Sequence, residues 1–329
     1  APPWIVVGLC AATALDLFLH QPRQNPMVPA KEWLAPPQMV ELLRGEAGDI
    51  RTLTLDHRSL HRRVFALARG WADVTPYYLF REGMQPNTGV YWGVASADCY
   101  AGVAPLWVTD TWGDHSGPGV FLPRAMESPR PGRLRRATAK ALGMLGVSHL
   151  ITPKELDLEG VTFVGSAGPM NLYRVNGAST VRFVAGARVV ATNDEAAIRM
   201  LAPSFSPDAV VFLHDVPAGF EVMPADDTAG STEAVAVKMT RWSPEEVIVD
   251  VEAPATGGYL FLADTYHPGW RAEIDETKVP IARANIMGRA VRVAGGAHRV
   301  RFEYRPTTLV RGLWVSAVGL SMLLCGAAI

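Results

Sequence analysis

The two ends of the chain constrain its fold more than anything between them. Gly312–Ile329 reads GLWVSAVGLSMLLCGAAI, 18 residues without a charge. As a helix it would extend about 27 Å, slightly short of a bilayer core of about 30 Å. Trp4–Leu19 reads WIVVGLCAATALDLFL, and its one charge, Asp16, lies near its C-terminal end. A carboxylate there reaches the interface at less cost than one at the bilayer centre. Pro2 and Pro3 suit a first helical turn. These two runs account for a positive mean hydropathy of +0.11. A pair of buried core helices is the bland alternative. A cleaved leader fits poorly, because the first run has no basic n-region and HQPRQNP is a poor cleavage site. We read membrane helices at 1–20 and, truncated, at 309–329. The chain does not begin with Met and stops inside an apolar run. That leads us to expect a piece of a longer polytopic protein, with both ends on one side of the membrane and the folded middle on the other.

Charge and composition narrow the middle. The 31 Lys+Arg nearly balance the 32 Asp+Glu, which argues against a nucleic-acid partner. At 49% hydrophobic and 19% charged residues the chain is too apolar to be disordered. Three cysteines make no disulfide framework, and there is no CxxC. GxGxxG in proper context, the P-loop, HExxH and GxSxG are also missing, so no cofactor or metal is predicted.

Two pattern zones follow. Residues 21–178 alternate helix and strand signals, as in an α/β unit. Pro36 and Pro37 open a short helix that closes near Gly45. Strand-like runs lie at 50–55 and 63–68, an amphipathic helix at 133–145, and further strands in VSHLIT, VTFVG and MNLYRVN. Residues 179–308 read as an antiparallel β-sandwich. In EVIVDVE, Val247, Val249 and Val251 share one face, and in HRVRFEY so do Val300, Phe302 and Tyr304. One helix, NDEAAIRML, interrupts the strands, with Asn193 as its expected N-cap. The predicted fold class is therefore α+β: an α/β unit, then the sandwich, with a transmembrane helix at each end.

Tyr266, Pro268, Gly269 and Trp270, then Val279, Pro280, Ala284 and Asn285, then Phe302, Tyr304 and Pro306 before an apolar run form a pattern that resembles the YfhO family of bacterial membrane proteins. PNTGVYWGVASADCY, through Asn87, Tyr91 and Gly93, and LGMLGVSHLITP are similar to earlier parts of that family. His267 stands where a second Tyr is common and Cys99 where a Gly is usual. The resemblance implies a multi-spanning bacterial cytoplasmic-membrane protein of the GT-C glycosyltransferase type, taking sugar from a polyprenyl-phosphate carrier. It implies that the catalytic carboxylate lies upstream of this sequence and that the folded region here is extracytoplasmic.

Candidate binding residues fall in two groups. Asn87, Tyr91 and Trp92 belong to an aromatic-rich stretch that, with Trp71, Tyr77, Tyr78, Trp107 and Trp112, offers faces for sugar rings or simply builds core. Arg133, Arg135 and Arg136, with Arg124, Arg130 and Lys140, form the basic cluster. Cations at a helix start are disfavoured by the helix dipole, so a carrier phosphate or lipid headgroup is a natural partner, with a solvated face as the plainer reading. Asp110, Asp114 and His115 match no defined metal loop and read as solvated. Asp264, His267 and Trp270 lack a nucleophile, so Trp270 reads as a sandwich anchor; His149 and His214 read as satisfied core histidines.

These features lead to an expected role: an accessory region that positions an acceptor or envelope glycan, with no catalytic residue of its own. A free-standing glycan-binding module is the first alternative, and a metal-dependent hydrolase on Asp110, Asp114 and His115 the second.

Overall fold

The computed structural model describes the chain apart from residues 1, 25–27, 56–73, 86, 98–103, 114–118, 128–132, 135, 226–234 and 328–329. The strand expected at 63–68 lies outside the described residues. By contact, the chain forms two compact units that alternate along the sequence. The first takes Ala1–Tyr100, Val147–Asp157 and Val161–Val175, and the second takes Ala101–Gly146, Leu158–Gly160 and Asn176–Ile329.

The first unit is built on a five-stranded mixed sheet. Its order is Ala95–Ser96, Arg51–Thr54, His149–Thr152, Met170–Val175, Val161–Ala167. The first three strands are parallel and the last two antiparallel. Arg51–Thr54 and His149–Thr152 are buried at every position, as expected of parallel strands covered on both faces. The helix Gln38–Arg44 supplies one cover, placing Met39, Val40 and Leu43 against Ile151, Met170 and Leu172. Pro37 stands at its N-cap position and has no side-chain oxygen to offer. The Glu82 carboxylate takes that role, accepting from the Met39 N–H at 3.1 Å. Gly45 closes the helix, as the sequence predicts.

The second unit is a sandwich-like pair of sheets with a helical layer. One sheet has six strands in the order Val181–Val184, Gly258–Leu262, Gly288–Val293, Ala282–Ala284, Val210–His214, Gly186–Val189. The other has five, Val237–Trp242, Glu246–Ala253, Gly296–Tyr304, Trp270–Ile274 and Thr277–Val279, all antiparallel. Their facing sides share one core of Phe183, Val247, Val249, Val251, Leu260, Leu262, Val291, Val300 and Phe302. Each such side chain contributes about 1.5–3 kcal/mol by leaving water. The predicted Val247/Val249/Val251 face is the buried one.

One pairing departs from the all-antiparallel expectation. Gly186–Val189 and Val210–His214 are parallel neighbours, joined through the helix Asn193–Met200. A parallel pair needs such a crossover, and this helix provides it. The helices Leu106–Trp112, Phe121–Met126 and Arg136–Met144 belong to the same layer. Thr138 Oγ1 donates to Ala125 O at 2.7 Å, and the Trp112 and Phe121 rings meet edge to face at 6.1 Å. Phe205 stacks on Phe212 of the sheet at 5.8 Å.

Gly258 sits where the core admits no side chain. A Cβ there would lie 2.4 Å from the Phe183 ring and 2.6 Å from the Val184 carbonyl. The carbonyl belongs to a paired strand and cannot retreat. Gly258→Ala is expected to cost about 1–3 kcal/mol of stability, read as a lowered urea midpoint with unchanged slope.

The predicted terminal helices form at Pro3–Gln24 and Thr307–Ala327. Their described apolar side chains are largely exposed, among them Trp4, Phe18, Trp314 and Leu323. Among the described residues, no helix is long and apolar enough to cross a membrane.

Candidate functional site

The motif that carries the family resemblance folds into one corner of the second unit. After Leu262 the chain turns through Tyr266-His267-Pro268-Gly269-Trp270. The Trp270 N–H donates to His267 O and the Gly269 N–H to His267 Nδ1, both at 3.0 Å. Accepting at Nδ1 puts the proton of the neutral ring on Nε2. A Cβ on Gly269 would meet the Tyr304 ring at 2.9 Å and Pro306 at 3.0 Å. Glycine is needed because the end of the strand Gly296–Tyr304 passes that close. The Arg305 N–H then donates to Gly269 O at 2.8 Å, two residues before the helix Thr307–Ala327 begins.

Arg289 lies beneath this corner with no exposed surface. Its guanidinium stacks on Trp270, 3.7 Å from the ring centroid, and lies 5.4 Å from Phe302. It donates to Thr265 O at 3.0 Å and to the Asp264 carboxylate at 3.2 Å. Trp270 is thus the sandwich anchor expected from the sequence, and Asp264 partners a buried cation. Asn285 makes a second clamp: its N–H donates to Phe212 O and its Oδ1 accepts from Phe212 N–H. Asn285 holds a left-handed φ of 46°, which Asn tolerates better than most residues.

A polar network extends from the corner. Trp107 Nε1 donates to Tyr266 O at 3.0 Å, and Arg283 lies over the Trp107 ring. Arg283 also donates to Asn193 Oδ1 at 2.7 Å and to Asp215 at 3.0 Å. Asn193 Nδ2 in turn donates to Asp110 at 2.6 Å. Asn193 is therefore not the N-cap. Thr192 caps the helix, its side chain accepting from the Glu195 N–H at 3.1 Å, while Glu195 accepts from the Ala191 N–H. The Ala191 N–H and then Arg199 hold the Glu195 carboxyl below the usual carboxylate range. Asn193, the first helical residue, keeps its amide for Arg283 and Asp110. Thr192→Ala is expected to cost about 1 kcal/mol in thermal or urea unfolding.

The histidines divide. His149 is buried and partnered, with Ser148 Oγ at 2.9 Å and Glu46 at 3.2 Å. Burial pushes its pKa down, partly offset by Glu46. This Ser/His/Glu line is a strand staple, since Ser148 Oγ also accepts from Arg51 N–H at 2.7 Å and reaches Arg51 O. His214 corrects the expectation of a satisfied core histidine. It is 1% exposed, and among the described residues its Nε2 finds no hydrogen-bond partner. Burial and then the facing Arg283 push it down to about 4.

The remaining candidates stand as follows. Gly89–Trp92 is a single 3₁₀ turn; Tyr91 is exposed on it, and Trp92 Nε1 donates to Leu34 O at 3.0 Å. Asn87 precedes that turn, exposed and at a φ of 72°. Arg133 falls in the short strand Arg133–Leu134, and Arg136 opens the helix Arg136–Met144. Their side chains, and Arg135, Arg130, Trp71, Cys99, Asp114 and His115 entirely, lie outside the described residues. Arg124 pairs with Asp194 at 2.6 Å and Lys140 donates to Phe205 O at 3.4 Å, so these two serve the fold. Among the described residues no cluster of three His, Cys, Asp or Glu could hold a metal ion. A shallow groove of about 590 Å³ crosses three strands beside Lys238, Asp250, Glu252, His298 and Arg299. Arg299 pairs there with Asp250, and His298 with Asp275. Its charges are part of a solvated sheet face, where pairs of this kind contribute little.

No curated protein and no solved structure matches the chain. The family described as bacterial membrane protein YfhO matches residues 227–316. That stretch contains Asp264, the Tyr266–Trp270 turn, Asn285, Arg289 and the start of the terminal helix. The segment that builds the corner thus lies in the stretch that matches the YfhO family of bacterial membrane proteins.

Proposed function

We propose that the chain is a membrane-anchored, extracytoplasmic accessory region of a multi-pass bacterial envelope protein that uses lipid-linked sugar. In this reading it positions an acceptor or glycan and carries no catalytic residue itself. The observation that carries it is the continuity of the family match, which runs from the sandwich strands through the corner into the apolar helix Thr307–Ala327. A sandwich joined to such a helix by a hydrogen-bonded turn suits holding a bulky substrate near a bilayer. Asn87, Tyr91 and Trp92 supply the aromatic surface for a sugar ring. Arg133, Arg135 and Arg136 supply cations for the phosphate of a polyprenyl carrier.

The test uses the purified chain in detergent or vesicles with a polyprenyl-phosphate-linked hexose as donor. The expected result is no sugar transfer together with saturable binding of isolated envelope polysaccharide, weakened by Tyr91→Ala. Transfer by the chain alone overturns the accessory role, and absence of binding overturns the holding role.

A further inference from the structure

We infer that the corner is also a lipid-contacting collar, seating the second unit on an anionic bilayer surface. This rests on the proposed membrane anchoring of the helix Thr307–Ala327. Two ring pairs lie there, Trp107 with Tyr266 and His267 with Tyr304, adjacent through the Tyr266-His267 peptide. The Trp107 and Tyr266 rings are 5.7 Å apart, and those of His267 and Tyr304 are 5.5 Å apart. Each is only half-buried and carries a polar tip, the side-chain type that favours the headgroup region. Leu106, beside Trp107, is 70% exposed, and Leu309, in the first turn of the helix, is 60% exposed. Single exposed leucines are ordinary, but here they flank two ring pairs leading directly into an exposed apolar helix. Arg305, which also reaches the Glu303 carboxylate at 3.7 Å, and Arg311, both exposed, bracket the helix start, where long cationic side chains reach phosphate while their stems lie along apolar surface.

The occupant is therefore phospholipid, argued from the continuity of this surface with the helix and from its flanking cations. The opposite end of the same strands is different in kind: Pro254, Ala255, Thr256, Gly295 and Gly296 form turns with no aromatic residue.

The experiment places a single environment-sensitive label at one of three positions in the full chain, with native cysteines replaced by serine. The positions are Leu106→Cys in the collar, Glu252→Cys toward the far end and Trp314→Cys in the helix. Each protein is reconstituted in vesicles of phosphatidylethanolamine and phosphatidylglycerol, and quenching is read from headgroup-labelled and tail-labelled lipids. Position 106 is expected to be blue-shifted and quenched by headgroup label, 314 by tail label, and 252 by neither. Loss of the shift at 106 in vesicles of neutral lipid alone is expected from the role of Arg305 and Arg311. A lipid-embedded 314 with an aqueous 106 overturns the collar and leaves the anchoring intact. Aqueous readings at both 106 and 314 overturn both.

Discussion

Acidification from pH 6.5 to about 4 is expected to remove about 3 kcal/mol of stability from the second unit through His214 alone. The ring is 1% exposed, and its pKa falls from 6.5 to about 4 on folding. Each unit of pKa difference corresponds to about 1.4 kcal/mol. Above pH 6.5 the ring is neutral in both folded and unfolded chains, so no penalty exists. As pH falls through that value the unfolded chain takes up a proton that the folded chain refuses, and stability declines until the folded pKa is passed. His149, shifted in the same direction, adds a loss of the same sign in the first unit. Hydrogen exchange at the strand Val210–His214, followed against pH, isolates the His214 contribution. His214→Met removes the titrating group and the unpartnered Nε2 at similar volume. It is expected to be near-neutral at pH 7 and to flatten most of the acid loss in that strand. An unchanged acid slope in the variant would show that the loss arises elsewhere.

Arg289→Ala is expected to cost about 2–5 kcal/mol, the range for truncating a long, fully buried side chain. The truncation strips Trp270 of its stacked guanidinium and removes one donor from Thr265 O and one from the Asp264 carboxylate. It also opens a cavity beneath the turn. Arg289→Lys keeps the charge but cannot stack or fork, and should recover only part of the loss. Arg289→Met fills the volume, and combined with Asp264→Asn it should recover more than Lys does, because replacing both members removes the desolvation cost. Urea unfolding followed by far-UV circular dichroism reads all four proteins. Equal stability of Arg289→Ala and the parent would mean that the guanidinium contributes nothing to the corner.

The strands were legible where period-2 alternation was clean. Val247, Val249 and Val251 announced a buried face, and the fold uses it. The same rule held the missed signal for Arg289. Arg289 shares strand parity with Val291 and Val293, which point into the sandwich core, so a charged side chain on the buried face was visible in GRAVRV. Arginine in a strand ordinarily marks the solvent side, and that prior masks the signal. The capping position at Asn193 is obscured for a different reason. Local sequence shows a good capping residue, but Thr192 precedes it, and Arg283, ninety residues on, claims the Asn193 amide. Such long-range claims leave no local trace. The parallel pairing of Gly186–Val189 with Val210–His214 was likewise hidden, since period-2 patterns do not encode strand direction. The turn Tyr266–Trp270 was legible as a motif, yet its partners, Asp110 through Asn193 and Trp107 through Tyr266, lie in a stretch whose pattern reads as part of the other zone.

The alternation of the two units along the chain sets an order on its biogenesis. Residues 101–146 leave the ribosome before any strand of the sheets they accompany has been made, and the first unit stays unfinished until Val175. The buried residues Ala141, Leu142 and Leu145 of that stretch are therefore made before those sheets exist. Partly made chains with uncovered apolar residues suit holding chaperones, and a cut between residues 101 and 175 divides both units, whereas one before or after that stretch divides only one.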